Sequence, residues 1–247
     1  MRITVEKPLF KSMMKSKVVI IEDIEFVLEI KAIKNLYIRV KKDGKAYVSV
    51  PKRLSQAQIQ AMLLQHLPWV KAQLAKLLTM PKVQALQYQA DEKHYLWGKA
   101  YALVLETNHK KAQAIIEDHR IILQSNGDLT TEQKIKLLDY LYRTELQAVL
   151  PELISQWEEK MQVQSSEWRL KKMKTRWGTC NTRAKRIWLN TELAKYPFLH
   201  LEYVLVHELV HLLERSHNHR FKAFMTEFMP DWAERKQALN LFAMKFC

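Results

Sequence analysis

The chain has 247 residues, 48% of them hydrophobic, so it is long enough and apolar enough to bury a substantial core. Its formal net charge is +14, with the basic residues scattered along the chain. Such a charge is compatible with an acidic partner such as nucleic acid or a nucleotide, and equally with a diffusely basic enzyme. Only four glycines are present, which favours long helices and argues against a glycine-rich nucleotide-binding loop.

The cysteines and the chain's hydropathy indicate the compartment. Two cysteines, Cys180 and Cys247, are too few for a disulfide framework. No apolar segment typical of a secretory signal lies at the start, and no stretch is long enough to span a bilayer. We therefore expect a cytoplasmic protein without a membrane partner. Cys180 is interpreted as a packed thiol rather than a metal ligand or nucleophile, because no second cysteine lies near it in the sequence.

The first part of the chain predicts a small β unit followed by a helix. An Asp43-Gly44 pair between two alternating runs is typical of a hairpin turn. Ser55 is expected to cap the helix, Pro68 to interrupt it and Pro81 to end it. The runs with strand character are residues 18–21, 26–30, 36–40 and 46–51.

The middle of the chain predicts a second group of strands and then a long helix. A hairpin is expected over residues 94–105, with further strands at 114–117 and 120–123. Thr130 or Thr131 is expected to begin a helix whose apolar residues repeat at helical spacing to about Met161, with a kink at Pro151. We accordingly predict a β-rich N-terminal domain over residues 1–125 and a helix-rich domain over residues 126–247.

An apolar run near the C-terminus contains the pattern His-Glu-x-x-His at residues 207–211. Positions i and i+4 of a helix share one face, so His207 and His211 can bind the same cation. Glu208 lies one position round, where it reaches a water on that cation more easily than the cation itself. This is the arrangement of a zinc hydrolase with a glutamate as general base. The alternative is an ordinary core helix, but burying these polar groups is costly unless something satisfies them.

Two histidines leave room for a third metal ligand from a nearby residue. Ser216 is predicted to cap a new helix beginning near His217, and a histidine at that point can turn back toward the first helix. His219 would lie about 200° round from His217 in a helix, so the two are not expected to bind the same ion. We choose His217, because a lone histidine at 219 is more often a surface residue. The full set of candidates is Glu214, His217, His219, Glu227 and Asp231.

A pair of strands is predicted directly before the metal-binding helix. The first begins at residues 168–173, and the second returns at residues 186–190. An exposed strand beside a metal site can bind an extended substrate by main-chain pairing. The candidate substrate-binding residues are Arg176 and Trp177, in the turn predicted over residues 176–181, and Asn190, at the end of the second strand.

These motifs together resemble the YgjP-like metallopeptidase family, which is related in outline to the WLM and SprT zinc peptidases. Thr179 stands where that family usually has serine, and Trp97 where leucine is common. The residues that carry the resemblance are Arg176-Trp177-Gly178-Thr179-Cys180, Leu189-Asn190, His207-Glu208-Leu209-Val210-His211, His217 with Arg220-Phe221, Met229-Pro230-Asp231-Trp232, and the N-terminal hairpin at Ile38-Arg39-Val40.

The resemblance implies an α+β fold. In that fold a mainly antiparallel N-terminal β unit with a helix is followed by a helix-rich, zincin-like catalytic domain. It also implies that His207, His211 and His217 hold one zinc ion per chain and that Glu208 is the catalytic carboxylate. The expected substrate is then a peptide or protein.

Two other functions keep the metal but change its role. A basic chain with a water-activating metal could hydrolyse a nucleotide phosphoanhydride, as a nucleoside triphosphate pyrophosphatase does. Three neutral imidazoles favour zinc over magnesium, however, and no phosphate-binding loop is visible. The third possibility is a nucleic-acid-associated protein with a structural metal, by analogy with SprT-like relatives that act on proteins near DNA.

Overall fold

A computed structural model describes residues 16–41, 43–79 and 86–246. The chain is an α+β protein that divides into two compact units, Met1–Lys82 and Val83–Cys247. The division by compactness falls earlier than the predicted domain boundary between residues 125 and 126. The N-terminal residues before Ser16 and the residue Pro81, expected to end a helix, lie outside the described residues.

The described part of the first unit contains a four-stranded sheet and one helix. The strand order is β1-β2-β4-β3, with β2 and β4 parallel and the other two pairs antiparallel. The predicted strands and the hairpin between β3 and β4 are confirmed. The elements are β1 (Ser16–Ile21), β2 (Ile24–Lys31), β3 (Tyr37–Val40), β4 (Ala46–Pro51) and α1 (Gln56–Thr79).

Helix α1 continues through Pro68, so the predicted interruption is wrong. Proline removes one backbone hydrogen bond and crowds the preceding turn. Leu63, Leu67 and Val70 nevertheless lie on both sides of it and are buried in one cluster with Phe26 of β2. Burial of these side chains outweighs the local cost of the proline, and a sequence pattern does not reveal that balance.

The second unit contains two further sheets. The first has the order β5-β6-β8-β7, and the second has the order β10-β11-β9, which leaves β10 at an edge. The turn predicted over residues 176–181 is wrong for residues 178–181, which form β10 because they pair antiparallel with β11. The predicted hairpin over residues 94–105 is confirmed, since β5 and β6 pair antiparallel. The strands are β5 (Lys93–Leu96), β6 (Lys99–Glu106), β7 (Gln113–Glu117), β8 (Arg120–Gln124), β9 (Glu167–Lys171), β10 (Gly178–Asn181) and β11 (Arg186–Asn190).

Over residues 86–246, α-helices and a short 3-10 helix complete the second unit. Thr130 caps the first of them through a reciprocal pair of bonds with Gln133, as a capping box requires. That helix runs on past Pro151 to Met161, which confirms its predicted start and extent. The helices are α2 (Thr131–Met161), the 3-10 helix (Thr191–Lys195), α3 (Phe198–Val210), α4 (His219–Phe228) and α5 (Trp232–Phe246).

One hydrophobic core joins the sheet of β5–β8 to the helices that follow it. Leu103 and Ile121 of the sheet are buried in the same cluster as Leu146 of α2 and Leu205 of α3. The sheet that sequence analysis places in the N-terminal domain therefore shares its core with the C-terminal helices. None of the helices among the described residues is both long and apolar enough to cross a bilayer.

Candidate metal centre

Helix α3 carries the His-Glu-x-x-His pattern and is held in the core by its apolar residues. Leu205, Val206 and Leu209 are fully buried, and the helix ends at Val210. A helix anchored on this face has its azimuth fixed, so the direction of its polar residues is fixed with it. His207 and His211 consequently lie half-buried at one end of the helix, beside the loop that leads to α4.

The structure brings three of the predicted residues together. Candidate ligand atoms of His207, His211 and His217 all lie within 4.8 Å of one another. The Nε2 atoms of His207 and His217 are 2.9 Å apart. Nδ1 of His211 lies 3.2 Å from the Glu214 carbonyl oxygen, and donation of that N–H leaves Nε2 of His211 with its lone pair. Within the described part of the chain, the other candidate ligands do not join this cluster: Glu214, His219, Glu227 and Asp231.

The cap of α4 explains how His217 reaches the cluster. Asn218, not Ser216, is the N-cap, because its Oδ1 accepts a hydrogen bond of 3.0 Å from the Phe221 amide. The prediction that Ser216 caps this helix is therefore wrong. Serine and asparagine are about equally good N-caps. Which of the two residues caps α4 therefore depends on the path of the loop after α3. His217 lies just before the cap, and His219 is the exposed first residue of α4.

Phe221 belongs to the site, although the sequence analysis named it only among the residues that carry the family resemblance and gave it no role there. Its side chain is 2% exposed, and its ring centroid lies 4.9 Å, 4.8 Å and 4.6 Å from those of His207, His211 and His217. Nδ1 of His207 is buried and has no hydrogen-bond partner among the described residues. Packing against Phe221, rather than a hydrogen bond from Nδ1, therefore orients the His207 ring. The sequence contained a signal for this packing, since Phe221 is an apolar residue at helical spacing after Asn218.

The electrostatics of the cluster favour neutral imidazoles. Burial, reinforced by the neighbouring His211 and His217, lowers the pKa of His207 to about 3. Burial also lowers the pKa of His211. A neutral ring can direct the lone pair of one nitrogen into the cluster, and a cation bound there would be the common partner of the three rings.

Three imidazole nitrogens are a donor set that suits zinc and leaves a fourth position free. Nitrogens that bind one zinc ion at 2.0–2.1 Å lie roughly 3.3 Å apart. The observed pair at 2.9 Å and the upper limit of 4.8 Å for the three atoms bracket that separation. The residues present therefore fit a zinc ion.

Glu208 lies beside the histidines, and its side chain is 5% exposed. Burial raises the pKa of Glu208 to about 8, and the positive charge of Arg176 opposes this shift. The backbone of Gly178 packs directly on this carboxyl group. A Cβ atom at residue 178 would lie 2.6 Å from Oε1 and 2.7 Å from Cγ of Glu208. Glycine inside a strand often marks such a close approach, and this signal was available in the sequence.

A cleft of about 640 Å³ opens over the histidines and Glu208. One wall is the edge strand β10, and another is the loop between α3 and α4. Burial, together with the charge of Glu208, raises the pKa of Cys180 in this wall to about 12, so its thiol is protonated at neutral pH. The cleft is lined by Arg176, Gly178, Thr179, Cys180, Asn181, Thr182, His207, Glu208, His211, Arg215 and His217.

Of the three candidate substrate-binding residues, Arg176 alone is among the residues that line the cleft. Trp177 packs edge-on against Tyr196, with ring centroids 5.0 Å apart. Asn190 is buried, and its amide nitrogen donates to the carbonyl oxygens of Met173 at 2.9 Å and Arg176 at 2.8 Å. Asn190 therefore fixes the segment that carries Arg176, and sequence reasoning did not distinguish this role from direct contact.

The α+β fold, with a helix that presents His-Glu-x-x-His and a third histidine from the following loop, is the arrangement of a metallopeptidase. The family model described as YgjP-like, metallopeptidase domain, matches residues 34–242. The chain belongs to the YgjP-like family, and the resemblance found in its sequence is confirmed. Family membership supports a metal-dependent peptidase with peptide or protein substrates, and it gives no support to a nucleotide or nucleic-acid partner.

Two solved structures are similar to part of the chain. The metallopeptidase zymogen abylysin of Pyrococcus abyssi is 18% identical, with a TM-score of 0.35, and the match covers 37% of this chain and 91% of that one. The zymogen jannalysin of Methanocaldococcus jannaschii is 18% identical, with a TM-score of 0.34, and the match covers 38% and 95% respectively. Comparison with curated proteins returns no match.

Proposed function

We propose that this protein is a zinc-dependent peptidase. In this proposal His207, His211 and His217 hold one zinc ion, and Glu208 is the general base. The observation that carries the proposal is the convergence of three imidazoles within 4.8 Å, beside a buried carboxyl group and inside an open cleft. Membership of a metallopeptidase family supports the same assignment.

When bound, zinc would act as a Lewis acid on the peptide carbonyl and lower the pKa of a water toward about 7. The role of Glu208 would be to accept a proton from the attacking water as the water oxygen bonds to the carbonyl carbon. Glu208 then donates the proton to the nitrogen of the breaking C–N bond, so that an acid and an amine leave. A glutamate with a pKa near neutrality suits both steps, because it can accept a proton from water and can also release that proton to the leaving nitrogen.

The edge strand β10 supports an extended substrate in the same cleft. It pairs with β11 on one side, and residues 178–181 line the cleft. An extended peptide can add to such an edge by main-chain hydrogen bonds, which recognise backbone rather than side chains. This pairing would place a peptide bond near the histidines.

The first test is the metal content of the purified wild-type protein and of His211→Ala, measured by elemental analysis. We expect about one zinc per chain in the wild type and its loss in the variant, because the remaining imidazoles bind zinc much more weakly. A folded wild type that takes up no metal after zinc loading would refute the proposal.

The second test is Glu208→Gln, which keeps the size of the side chain but removes its basicity. We expect retained zinc and a loss of peptide cleavage of at least about 100-fold, measured on casein. Unchanged cleavage would exclude Glu208 as the base. Turnover of a nucleoside triphosphate without cleavage of casein would favour the pyrophosphatase alternative.

A further inference from the structure

Two arginines face the cleft, and neither forms an ion pair over the described ranges, although the charge of Arg176 acts on the buried Glu208. Arg176 lies just before β10, and Arg215 lies in the loop between α3 and α4; both are exposed and line the cleft. Other arginines of the same unit do form ion pairs, as Arg186 pairs with Glu167 and Arg235 with Glu202.

The lining of the cleft contains few acidic groups that could neutralise the positive charges of these two arginines. Among the described residues, Glu208 is the only acidic one in the lining, and its carboxyl group is buried against Gly178. Glu214 lies one residue before Arg215, but no ion pair joins their side chains, and Oε1 of Glu214 instead accepts a hydrogen bond of 3.1 Å from the Ser216 amide. An anion that enters the cleft therefore meets two guanidinium groups that are available to bind it.

The backbone that carries each arginine is held in place. The Asn190 side chain accepts from the Met173 amide at 3.2 Å and donates to the Arg176 carbonyl at 2.8 Å, which pins the segment before β10. The Glu214 amide donates to the Val210 carbonyl at 2.9 Å, which fixes the loop that carries Arg215. Arginines on fixed backbone lose less conformational freedom when they bind an anion, so binding is favoured.

The chemistry of the cleft favours a carboxylate on a peptide over a phosphate on a nucleotide. Guanidinium groups bind both anions through paired N–H donors. The neighbouring wall, however, is an edge strand that fits extended peptide backbone, and the sequence has no glycine-rich loop to surround phosphates. A peptide can engage the strand and the arginines together.

We propose that Arg176 and Arg215 form a carboxylate-binding subsite, which makes peptides with a carboxylate close to the cleaved bond the preferred substrates. The carboxylate comes from an acidic side chain or from a free C-terminus. This inference rests on the proposed peptidase function and adds the substrate class. Arg215 was not a candidate on sequence grounds, because it belongs to no recognised spacing.

The experiment compares quenched fluorescent peptides that differ at one position next to the cleaved bond. One peptide has Glu there and one has Gln, and each is made with a free and with an amidated C-terminus. The zinc-loaded proteins are the wild type, Arg176→Gln, Arg215→Gln and the control Arg183→Gln. Arg183 is an exposed arginine in the turn between β10 and β11 that does not line the cleft, so its variant carries the same charge change.

For the wild type we expect kcat/KM to be about tenfold higher or more for the carboxylate peptides than for the uncharged one. This ratio should fall toward one in Arg176→Gln and Arg215→Gln, and Arg183→Gln should keep it. The Glu arm and the free C-terminus arm identify which carboxylate is bound. Equal cleavage of all peptides by the wild type would overturn the inference and leave the peptidase proposal intact.

A binding measurement separates this inference from the peptidase proposal. Fluorescence anisotropy of the labelled peptides on Glu208→Gln protein reports binding without turnover. Tighter binding of carboxylate peptides that Arg176→Gln and Arg215→Gln abolish would support the subsite even if no peptide were cleaved. Equal binding of the peptides with and without a carboxylate, the amidated Gln peptide being the uncharged one, would overturn it. Displacement by a nucleoside triphosphate at lower concentration than by the acidic peptide would also overturn it.

Discussion

The position of the Glu208 carboxyl group depends on the absence of a side chain at residue 178. Gly178 allows the backbone of β10 to approach the carboxyl group so closely that a Cβ atom would lie 2.6 Å from Oε1. The contact removes water from one side of the carboxyl group and contributes to the burial that raises its pKa. A general base must be held within hydrogen-bond reach of the proton it takes, so this packing bears directly on the proposed reaction.

Gly178→Ala should therefore displace Glu208 without removing zinc. The new methyl group would collide with the carboxyl end of Glu208, which must move away from it, whereas no histidine is among its nearest neighbours. We expect kcat to fall by about 100-fold, because a shift of about 1 Å at a reacting group has a cost of that order. Metal content and peptidase kinetics, measured on the same preparation, test this expectation.

Gly127→Ala is the control for the glycine substitution itself. Gly127 has a φ of +93°, and a Cβ atom added there would have no neighbour within 4 Å, so alanine is strained but does not collide. We expect it to lower the free energy of unfolding by about 1 kcal/mol and to leave kcat unchanged. An active, zinc-loaded Gly178→Ala protein would contradict the proposed role of the contact.

Helix α3 contains a further buried histidine, which has no part in the metal site. His200 is 1% exposed, and its ring packs edge-on against Phe242 with centroids 5.5 Å apart. Burial, with the nearby Arg235 guanidinium as a second cause, lowers the pKa of His200 below its ordinary value. The helix that carries the candidate ligands therefore carries a group that resists protonation at its other end.

We predict that His200 makes the protein less stable in mild acid. Because the folded-state pKa is below the unfolded-state value of about 6.5, the unfolded chain takes up the proton first as the pH falls. The stabilisation from the neutral ring is complete above about pH 6.5 and is lost as the pH falls through the folded-state pKa. This histidine contributes at most about 1.4 kcal/mol per pH unit.

His200→Leu should therefore weaken the dependence of the free energy of unfolding on pH between about 6.5 and 5. Urea unfolding of the metal-free protein at several pH values measures this dependence without interference from zinc release. If the free energy of unfolding depends on pH in the same way for His200→Leu and the wild type, His200 has the same pKa in the folded and unfolded states. That result would contradict the prediction.

At the scale of the whole molecule, the described residues form two hydrophobic cores. The core of the first unit draws its residues from positions before 82, and the core of the second from positions after 83. Leu103, Ile121 and Leu123 belong to the second core, although the predicted boundary after residue 125 assigns them to the N-terminal domain. The two boundaries lead to different expectations for fragments.

A fragment of residues 83–247 should fold and bind zinc with the affinity of the full chain, because it retains its complete core. A fragment of residues 126–247 lacks the sheet of β5–β8 and exposes the faces of α2 that pack on it, so it should not unfold cooperatively. Urea unfolding and zinc titration of both fragments test this expectation. A cooperative, zinc-binding fragment 126–247 would support the predicted domain boundary instead.

Sequence alone determined the features that depend on neighbours along the chain. The His-Glu-x-x-His spacing, the cap at Thr130 and the hairpins follow from helix periodicity, capping chemistry and turn residues, all within a few positions of one another. The cytoplasmic location and the residue roles at the metal centre remain predictions from the same kind of pattern.

Tertiary structure alone decided which distant residues meet. Gly178 and Arg215 reach the cleft from segments on either side of α3, Phe221 closes the site from α4, and Asn190 turns inward to hold the segment of Arg176. The same holds for Pro68 inside α1, where long-range burial outweighs a local preference. Contacts between segments depend on how whole elements pack, and no spacing in the sequence records that packing.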